Sequence, residues 1–197
     1  MAKELKNVRK TQMGATYSRY ALIVDEQDGA LPTYSAAKEL SEFVKLSESV
    51  QKAEAKFYSN DSLSESVESF KYCDLSYENK GLSDEVQCDI LGMTQTEDGE
   101  LVRGIDDAAP FIGFAFYRVL MDNGVTYYEG VYYPKVKASL GNDDYETRGE
   151  NTNFKGDTTT LIAYAAKDEK KSWKRSKMFA TEAEAKAWVD GKFGTAA

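Results

Sequence analysis

The sequence predicts a mainly β fold, a sandwich or barrel with a few helices attached. Short segments rich in aromatic and β-branched residues recur along the chain between turn residues, which is typical of all-β domains. Convincing helix signatures are few. The length of 197 residues suits one domain, and a hydrophobic content of 42% supplies a core. We therefore expect an N-terminal arm over residues 1–16 and a single β-domain over residues 17–197.

The clearest element is a β-hairpin centred on Asn123-Gly124. These two residues tolerate the positive φ angles of a two-residue type I′ turn, and both flanks, 110–121 and 126–133, are aromatic and β-branched. With that turn, the numbers of opposite residues sum to 247. The register then pairs Arg118 with Glu129, Phe116 with Val131, and Leu120 with Tyr127, so that opposite charges meet.

The other strands follow from the same composition and spacing. An early strand over residues 17–24 comes after the basic arm, and the Ser/Glu-rich segment 60–68 is expected to be an exposed loop. A small hairpin is expected over 94–96 and 101–103, around Asp98-Gly99. The remaining predicted strands are 43–50, 54–58, 69–77, 135–140 beyond Pro134, 157–166 and 173–179.

Two helices have recognisable ends. Ser83 caps a helix over 86–91 that Gly92 stops. The sequence Thr181-Glu-Ala-Glu184 is a capping box that opens a C-terminal helix over about 182–190, closed by Gly191. Its expected buried stripe is Ala183, Ala187 and Trp188. A third short helix over 35–42 has weaker support.

Chemical motifs are sparse. The chain contains no histidine, which excludes histidine nucleophile activation, general bases and metal ligands. No phosphate-binding loop or nucleophile elbow occurs. Asn142-Asp143-Asp144 with Glu146 distantly resembles a calcium loop, but its glycine is misplaced, so a solvated loop is favoured. Asp106-Asp107 is interpreted as a hydrated turn. No enzyme, cofactor or metal site is predicted.

Cysteine usage and hydropathy suggest the compartment. Cys73 and Cys88 are expected to be free thiols, because no signal segment points to an oxidising compartment. No run of about 18 apolar residues occurs, so no membrane span is expected. We therefore expect the chain to fold in a cytosol.

Charge is unevenly distributed. The net charge of −8 disfavours general nucleic-acid binding. Residues 1–20 carry +4, residues 42–100 carry −9, and residues 167–177 carry +4. Basic and acidic segments of this kind could complement one another between copies, with scattered solvated charge as an equal alternative. The residues expected to make contacts between subunits are Lys3, Lys6, Arg9 and Lys10.

Several segments, taken in order, carry a family resemblance. They are Leu5-Lys-Asn-Val8, Lys56-Phe-Tyr-Ser-Asn-Asp61, residues 70–77, Asp89-Ile-Leu-Gly92, residues 111–133, Lys135-Val-Lys-Ala138, Thr147-Arg-Gly-Glu-Asn151 and the C-terminal helix. Together they resemble the major tail proteins of long-tailed bacteriophages that infect Gram-positive bacteria. The resemblance spans nearly the whole chain, in the family's order.

The resemblance implies a tail-tube fold of two packed β-sheets with a helix at the side. Six copies would form a ring, and rings would stack on a tape-measure protein and end at terminator and tip proteins. DNA would pass through the lumen without specific binding, past an acidic or neutral wall drawn from residues 43–80 and the central hairpin. The expected location is the virion, with the host cytoplasm during assembly.

Two alternatives remain open at this point. The chain could be a tube subunit of a related contractile injection or secretion machine. It could also be a β-sandwich carbohydrate-binding module that uses a tyrosine-rich strand as a stacking platform, although sheet packing explains those side chains more simply. The platform residues would be Tyr127, Tyr128, Tyr132 and Tyr133.

Overall fold

A computed structural model describes residues 11–59, 62–141 and 156–194 of the chain. The expected mainly β fold with flanking helices is confirmed. The elements in chain order are β1 (Thr11–Asp25), β2 (Thr33–Tyr34), β3 (Lys38–Glu39), β4 (Phe43–Ser59), β5 (Ser62–Asn79), α1 (Asp84–Leu91), β6 (Thr94–Gln95), β7 (Leu101–Val102), β8 (Phe111–Asp122), β9 (Val125–Ser139), β10 (Asp157–Tyr164), β11 (Arg175–Phe179) and α2 (Glu182–Asp190).

Within these residues, nine strands form one antiparallel sheet. Its main order is β2-β1-β8-β9-β10-β5-β4, while β3 also pairs with β1 and β11 also pairs with β9. The strands β6 and β7 form a separate small ribbon, as the Asp98-Gly99 turn predicts. The long strand β9 lies at the centre, because it pairs with β8 on one side and with both β10 and β11 on the other.

The sheet curls until its two halves pack face to face. Three strands separate β4 from β8, so the two would lie about 19 Å apart in a flat sheet at about 4.8 Å per strand. Instead, the ring centroid of Phe43 on β4 lies 5.1 Å from that of Phe116 on β8. The hydroxyl of Tyr133 on β9 likewise donates to Glu48 Oε1 on β4 at 2.5 Å. The two packed layers are therefore halves of one continuous sheet.

The central hairpin has the predicted turn and register. Asn123 and Gly124 have φ angles of 51° and 80°, as a type I′ turn requires. Arg118 lies opposite Glu129, and the other two predicted pairs are also present. The Arg118 guanidinium contacts the buried Glu129 carboxylate, with Nε 2.6 Å from Oε2.

Pro134 lies inside β9, where a missing N–H would normally interrupt a ladder. On one side of β9, β11 pairs with Tyr128–Tyr132 and β10 pairs with Lys135–Ser139. Pro134 therefore falls between the two partners. On the other side, the ladder with β8 shifts register around Gly113. The strand continues past the proline because neither ladder needs its N–H.

Both predicted helices are present with their predicted caps. The Ser83 hydroxyl accepts the Val86 N–H at the start of α1, and Gly92 ends the helix in a left-handed conformation. The capping box of Thr181 and Glu184 is formed at the start of α2. The predicted buried stripe of α2 is wrong in part, because Ala183 and Ala187 are exposed and Trp188 is half-buried. Ala185 and Val189 are the buried residues, because the helix is rotated to lay Trp188 over the sheet.

The expected loop over residues 60–68 is wrong for the part that the structure describes. The strand β5 begins at Ser62, and β4 continues to Ser59, so the two predicted short strands 43–50 and 54–58 are one. Serine and glutamate are compatible with a strand whose two faces are solvated, so composition misled the interpretation. The weakly supported helix over 35–42 is absent, and β3 lies there instead.

The two helices lie on opposite faces of the sheet. Side chains alternate along β8 and β9, and Phe114, Phe116 and Tyr133 point to the face that α1 covers with Val86 and Ile90. The intervening residues Ala115 and Tyr132 point to the face that α2 covers with Val189. No helix within 11–59, 62–141 and 156–194 is both long and apolar enough to traverse a bilayer.

Candidate assembly surfaces

The contact residues expected from the sequence, Lys3, Lys6, Arg9 and Lys10, lie outside the described residues, as does the calcium-like segment around Asn142. Adjacent to the first set, β1 starts at Thr11, earlier than the expected Tyr17, and Thr11–Thr16 pairs with the end of β8. The last part of the expected arm is thus a strand of the sheet. Among the described residues, no group of three acidic or cysteine side chains could hold a metal ion. Both cysteines are free.

A two-stranded ribbon extends from the sheet, built from the ends of β4 and β5. The strand β10 pairs with β5 only over Cys73–Asn79, so residues 52–59 and 62–71 pair only with each other. The side chains described there, 52–55 and 66–71, are exposed except that of Phe70, which is half-buried. We call residues 52–59 and 62–71 the ribbon. An isolated two-stranded hairpin has little stability in water, so a partner surface would stabilise this one.

The root of the ribbon is held by aromatic and ionic contacts. Phe70 stacks on Trp173 with ring centroids 5.0 Å apart and an interplanar angle of 13°. Nearby, Glu48 accepts from the Tyr133 hydroxyl and from Lys174 Nζ, each at 2.5 Å. Burial and the Glu48 carboxylate raise the pKa of Tyr133 above its ordinary range. This anchoring fixes the direction in which the ribbon leaves the domain.

The second edge of β4 is unpaired within the described part of the chain. The strand ends the sheet order, and its 17 residues pair only with β5. Such an edge presents a row of N–H and C=O groups to another strand. Charged residues along it, including Lys45, Lys52 and Glu54, discourage unspecific pairing. The edge therefore suits a specific partner strand with matching charges.

A concave basic surface lies between β11, the loop before it and α2. It contains a depression of about 590 Å³, which is lined by the Trp188 ring, by Ser172 and Ser176, and by five cationic side chains. Arg175 is paired with Asp168 and Lys174 with Glu48. Within the described residues, no acidic group lies within salt-bridge distance of the other three lysines. We call Lys170, Lys174, Arg175, Lys177 and Lys192 the basic surface.

The surroundings of Lys192 show that positive charges are crowded on this surface. Its Nζ lies 4.4 Å from the Trp188 ring centroid and 5.8 Å from that of Tyr132. Burial, together with the neighbouring charges of Arg175 and Lys177, lowers the pKa of Lys192 below its ordinary value. Positive charge is therefore concentrated here in excess of the carboxylates that face it.

Asp168 organises the loop that carries the basic surface. This buried carboxylate accepts the Ser172 N–H at 2.7 Å and Arg175 Nη2 at 2.8 Å. Burial acts to raise the pKa of Asp168, but the Ser172 hydrogen bonds and Arg175 outweigh it and lower the pKa below its ordinary value. A carboxyl group of this kind stabilises the fold above its ordinary pKa, and the contribution is lost as the pH falls through the lowered value.

We expect Asp168→Asn to lower the free energy of unfolding by about 1 kcal/mol at pH 7, because Arg175 and Ser172 lose a charged acceptor. The difference from the native protein should shrink in acid, below the ordinary carboxyl pKa of about 4. Thermal melts at several pH values measure it. Glu169→Gln, at an exposed neighbour, is the control. An equal deficit at pH 3 and pH 7 would show that the charge of Asp168 contributes nothing.

An acidic surface surrounds α1 and the β6–β7 ribbon. Residues 83–107 contain eight acidic side chains and one basic one, a balance of −7. Glu85 and Asp89 share Lys38, at 2.8 and 2.6 Å. The other exposed members have no salt bridge within the described residues. We call Asp84, Glu97, Asp98, Glu100 and Asp106 the acidic surface.

The tyrosine-rich strand does not form an exposed platform. Tyr132 and Tyr133 are buried, and they point to opposite faces of the sheet. The Tyr132 hydroxyl lies 2.5 Å from that of Tyr34, and burial raises the pKa of Tyr132 to about 12. Tyr132 and Tyr133 therefore pack against the two faces of the sheet, as expected if these side chains serve sheet packing and not ligand stacking.

Comparisons of the chain with protein-family models and with curated proteins gave no match. The sequence had signalled the basic stretch 167–177 and the acidic middle region, but not their placement. It missed Lys192 as a member of the basic surface, because that residue joins only when α2 packs beside β11. It also missed the ribbon, whose composition looks like a loop.

Proposed function

We propose that this chain is a structural subunit of a phage tail tube, which assembles as stacked hexameric rings around a channel for DNA delivery. The observation that carries the proposal is the long edge of β4, whose 17 residues pair only with β5 within the described part of the chain and continue into a ribbon that projects beyond the domain. Both features are costly to an isolated monomer and useful to a subunit that pairs with its neighbours.

Ring closure accounts for the free edge. If β4 of one copy pairs with a strand of the next, repetition around a symmetry axis leaves no open edge. A head-to-tail contact of this type forms a ring when its rotation closes. The mixed charges along β4 then select the register of pairing rather than its strength.

The resemblance of the chain to major tail proteins supports the same role. The segments that carry it include the central hairpin and the helix that ends at Gly92, and the described structure contains both. The net charge of −8 suits a channel from which DNA must be released. The proposed location is accordingly the virion, with tape-measure, terminator and tip proteins as partners. No observation favours the carbohydrate-binding alternative.

Negative-stain microscopy and analytical ultracentrifugation of the concentrated native chain test the proposal. We expect rings with six-fold symmetry, and tubes at higher concentration, because edge pairing is favoured by mass action. A monomeric β-barrel protein of similar mass, measured at the same concentration, shows how much non-specific association to expect. A chain that stays monomeric at millimolar concentration, and that also fails to join rings in the presence of preformed tail tips, would contradict the proposal.

A further inference from the structure

The basic and acidic surfaces defined above cannot neutralise each other within one subunit. The acidic surface surrounds α1, on the face of the sheet that bears Phe114 and Tyr133. Of the basic surface, Arg175, Lys177 and Lys192 lie on the face that bears Tyr132, while Lys174 lies over the Tyr133 ring and is paired with Glu48. Along β9, β11 pairs with Tyr128–Tyr132, whereas Gln87 of α1 and Gly104 line a depression together with Ser139 at the end of the strand. At about 3.3 Å per residue, these regions are separated by roughly 20 Å along the strand.

We propose that the basic surface of one copy binds the acidic surface of a second copy. The inference rests on the proposed self-assembly and names two surfaces by which it occurs. Lys170 and Lys177 are exposed and lack acidic partners in the described part, and the depression beside them is concave. Glu97 and Glu100 lie in the turn that joins β6 to β7, where residues 94–100 are all exposed. The charges of the two surfaces are therefore complementary, and the exposed acidic turn faces no basic partner of its own copy among the described residues.

The separation of the two surfaces determines the type of assembly. A two-fold dimer would have to bring both surface pairs together in one interface, which the opposite faces of the sheet prevent. Each copy instead uses its basic surface toward one neighbour and its acidic surface toward another. Such a heterologous contact repeats from copy to copy, as between neighbours in a ring or between stacked rings.

A charge-swap experiment tests this docking. One variant carries Lys170→Glu with Lys177→Glu, and a second carries Glu97→Lys with Glu100→Lys. Each variant alone should self-associate at least about tenfold more weakly than the native chain, because attraction becomes repulsion at the contact. An equimolar mixture of the two variants, or one chain with all four changes, should recover association. Sedimentation velocity measures association, and circular dichroism checks that each variant is folded.

Lys80→Glu is the control, since it also makes the net charge more negative, at an exposed position outside the basic surface where it removes only an exposed ion pair with Glu42. It should not weaken association, whereas a pure net-charge effect would. Native-like association of either double variant, or no recovery in the mixture and the four-fold variant, would overturn the docking. If the native chain and the charge-swapped variants form tubes equally well, the docking is wrong and the proposed function stands. If neither native chain nor mixture associates, both fail.

Discussion

A chain in which Asn-Gly replaces residues 54–68 should remain folded and lose the ability to form rings or tubes. The replacement joins Ala53 to Ser69, which are already opposite each other, through a two-residue turn suited to a hairpin. It keeps Phe70 on Trp173, so the root of the ribbon remains packed. The described side chains that it removes are exposed, so the melting temperature should change by only a few degrees.

Circular dichroism measures whether the shortened chain is folded, and negative-stain microscopy measures whether it forms rings or tubes. The control is Lys52→Gln with Glu68→Gln, which removes an exposed ion pair of 2.6 Å while keeping the ribbon's backbone and net charge. It should assemble normally, because backbone pairing and not this ion pair supplies the contact. Tubes of normal length from the shortened chain would show that the ribbon contacts no neighbour.

Gly130→Ala should destabilise the domain by about 2–3 kcal/mol, the upper part of the usual range for overpacking. A Cβ atom at Gly130 would lie 2.6 Å from Cζ3 of Trp188, within the indole ring system. The ring cannot move aside like the end of a flexible chain, because Phe179 and Lys192 pack against it. The helix α2 would therefore be displaced from β9.

Thermal unfolding measures this effect, with an expected loss of roughly 5–10 °C for a chain of this size. The double variant Gly130→Ala with Trp188→Leu tests the mechanism, because a smaller side chain makes room for the methyl group. The stability that it loses should be smaller than the sum of the losses caused by Gly130→Ala alone and Trp188→Leu alone. Strict additivity would show that the clash with Trp188 is not the cause.

Elements defined by local chemistry were predicted well from the sequence. The Asn123-Gly124 turn sets the register of its own flanking strands, so three residue pairs were correctly assigned. Caps are equally local, and the capping residues of α1 and α2 were therefore correct, although α1 begins at Asp84 and not at residue 86. These signals lie within a few residues of the structure they specify.

The errors concern features that depend on distant parts of the chain. Ser62–Glu68 is a strand because it pairs with β4, and no burial pattern reports that pairing. The orientation of α2 depends on the close approach that Gly130 allows to Trp188. The basic surface likewise needs β11 and α2 side by side before Lys192 can join it. The expected contact residues Lys3, Lys6, Arg9 and Lys10 remain a prediction.

The chain has two tryptophans, and the fold places them at two different surfaces. Trp173 stacks on Phe70 at the root of the ribbon, while Trp188 lies under Lys192 in the basic surface. The intrinsic fluorescence of each tryptophan therefore reports on the surface where that tryptophan lies, and no added label is needed. With Trp188 replaced by phenylalanine, the remaining emission follows the ribbon. With Trp173 replaced by phenylalanine, it follows the depression between β11 and α2, so stopped-flow fluorescence of the two variants would time each surface separately during the proposed assembly.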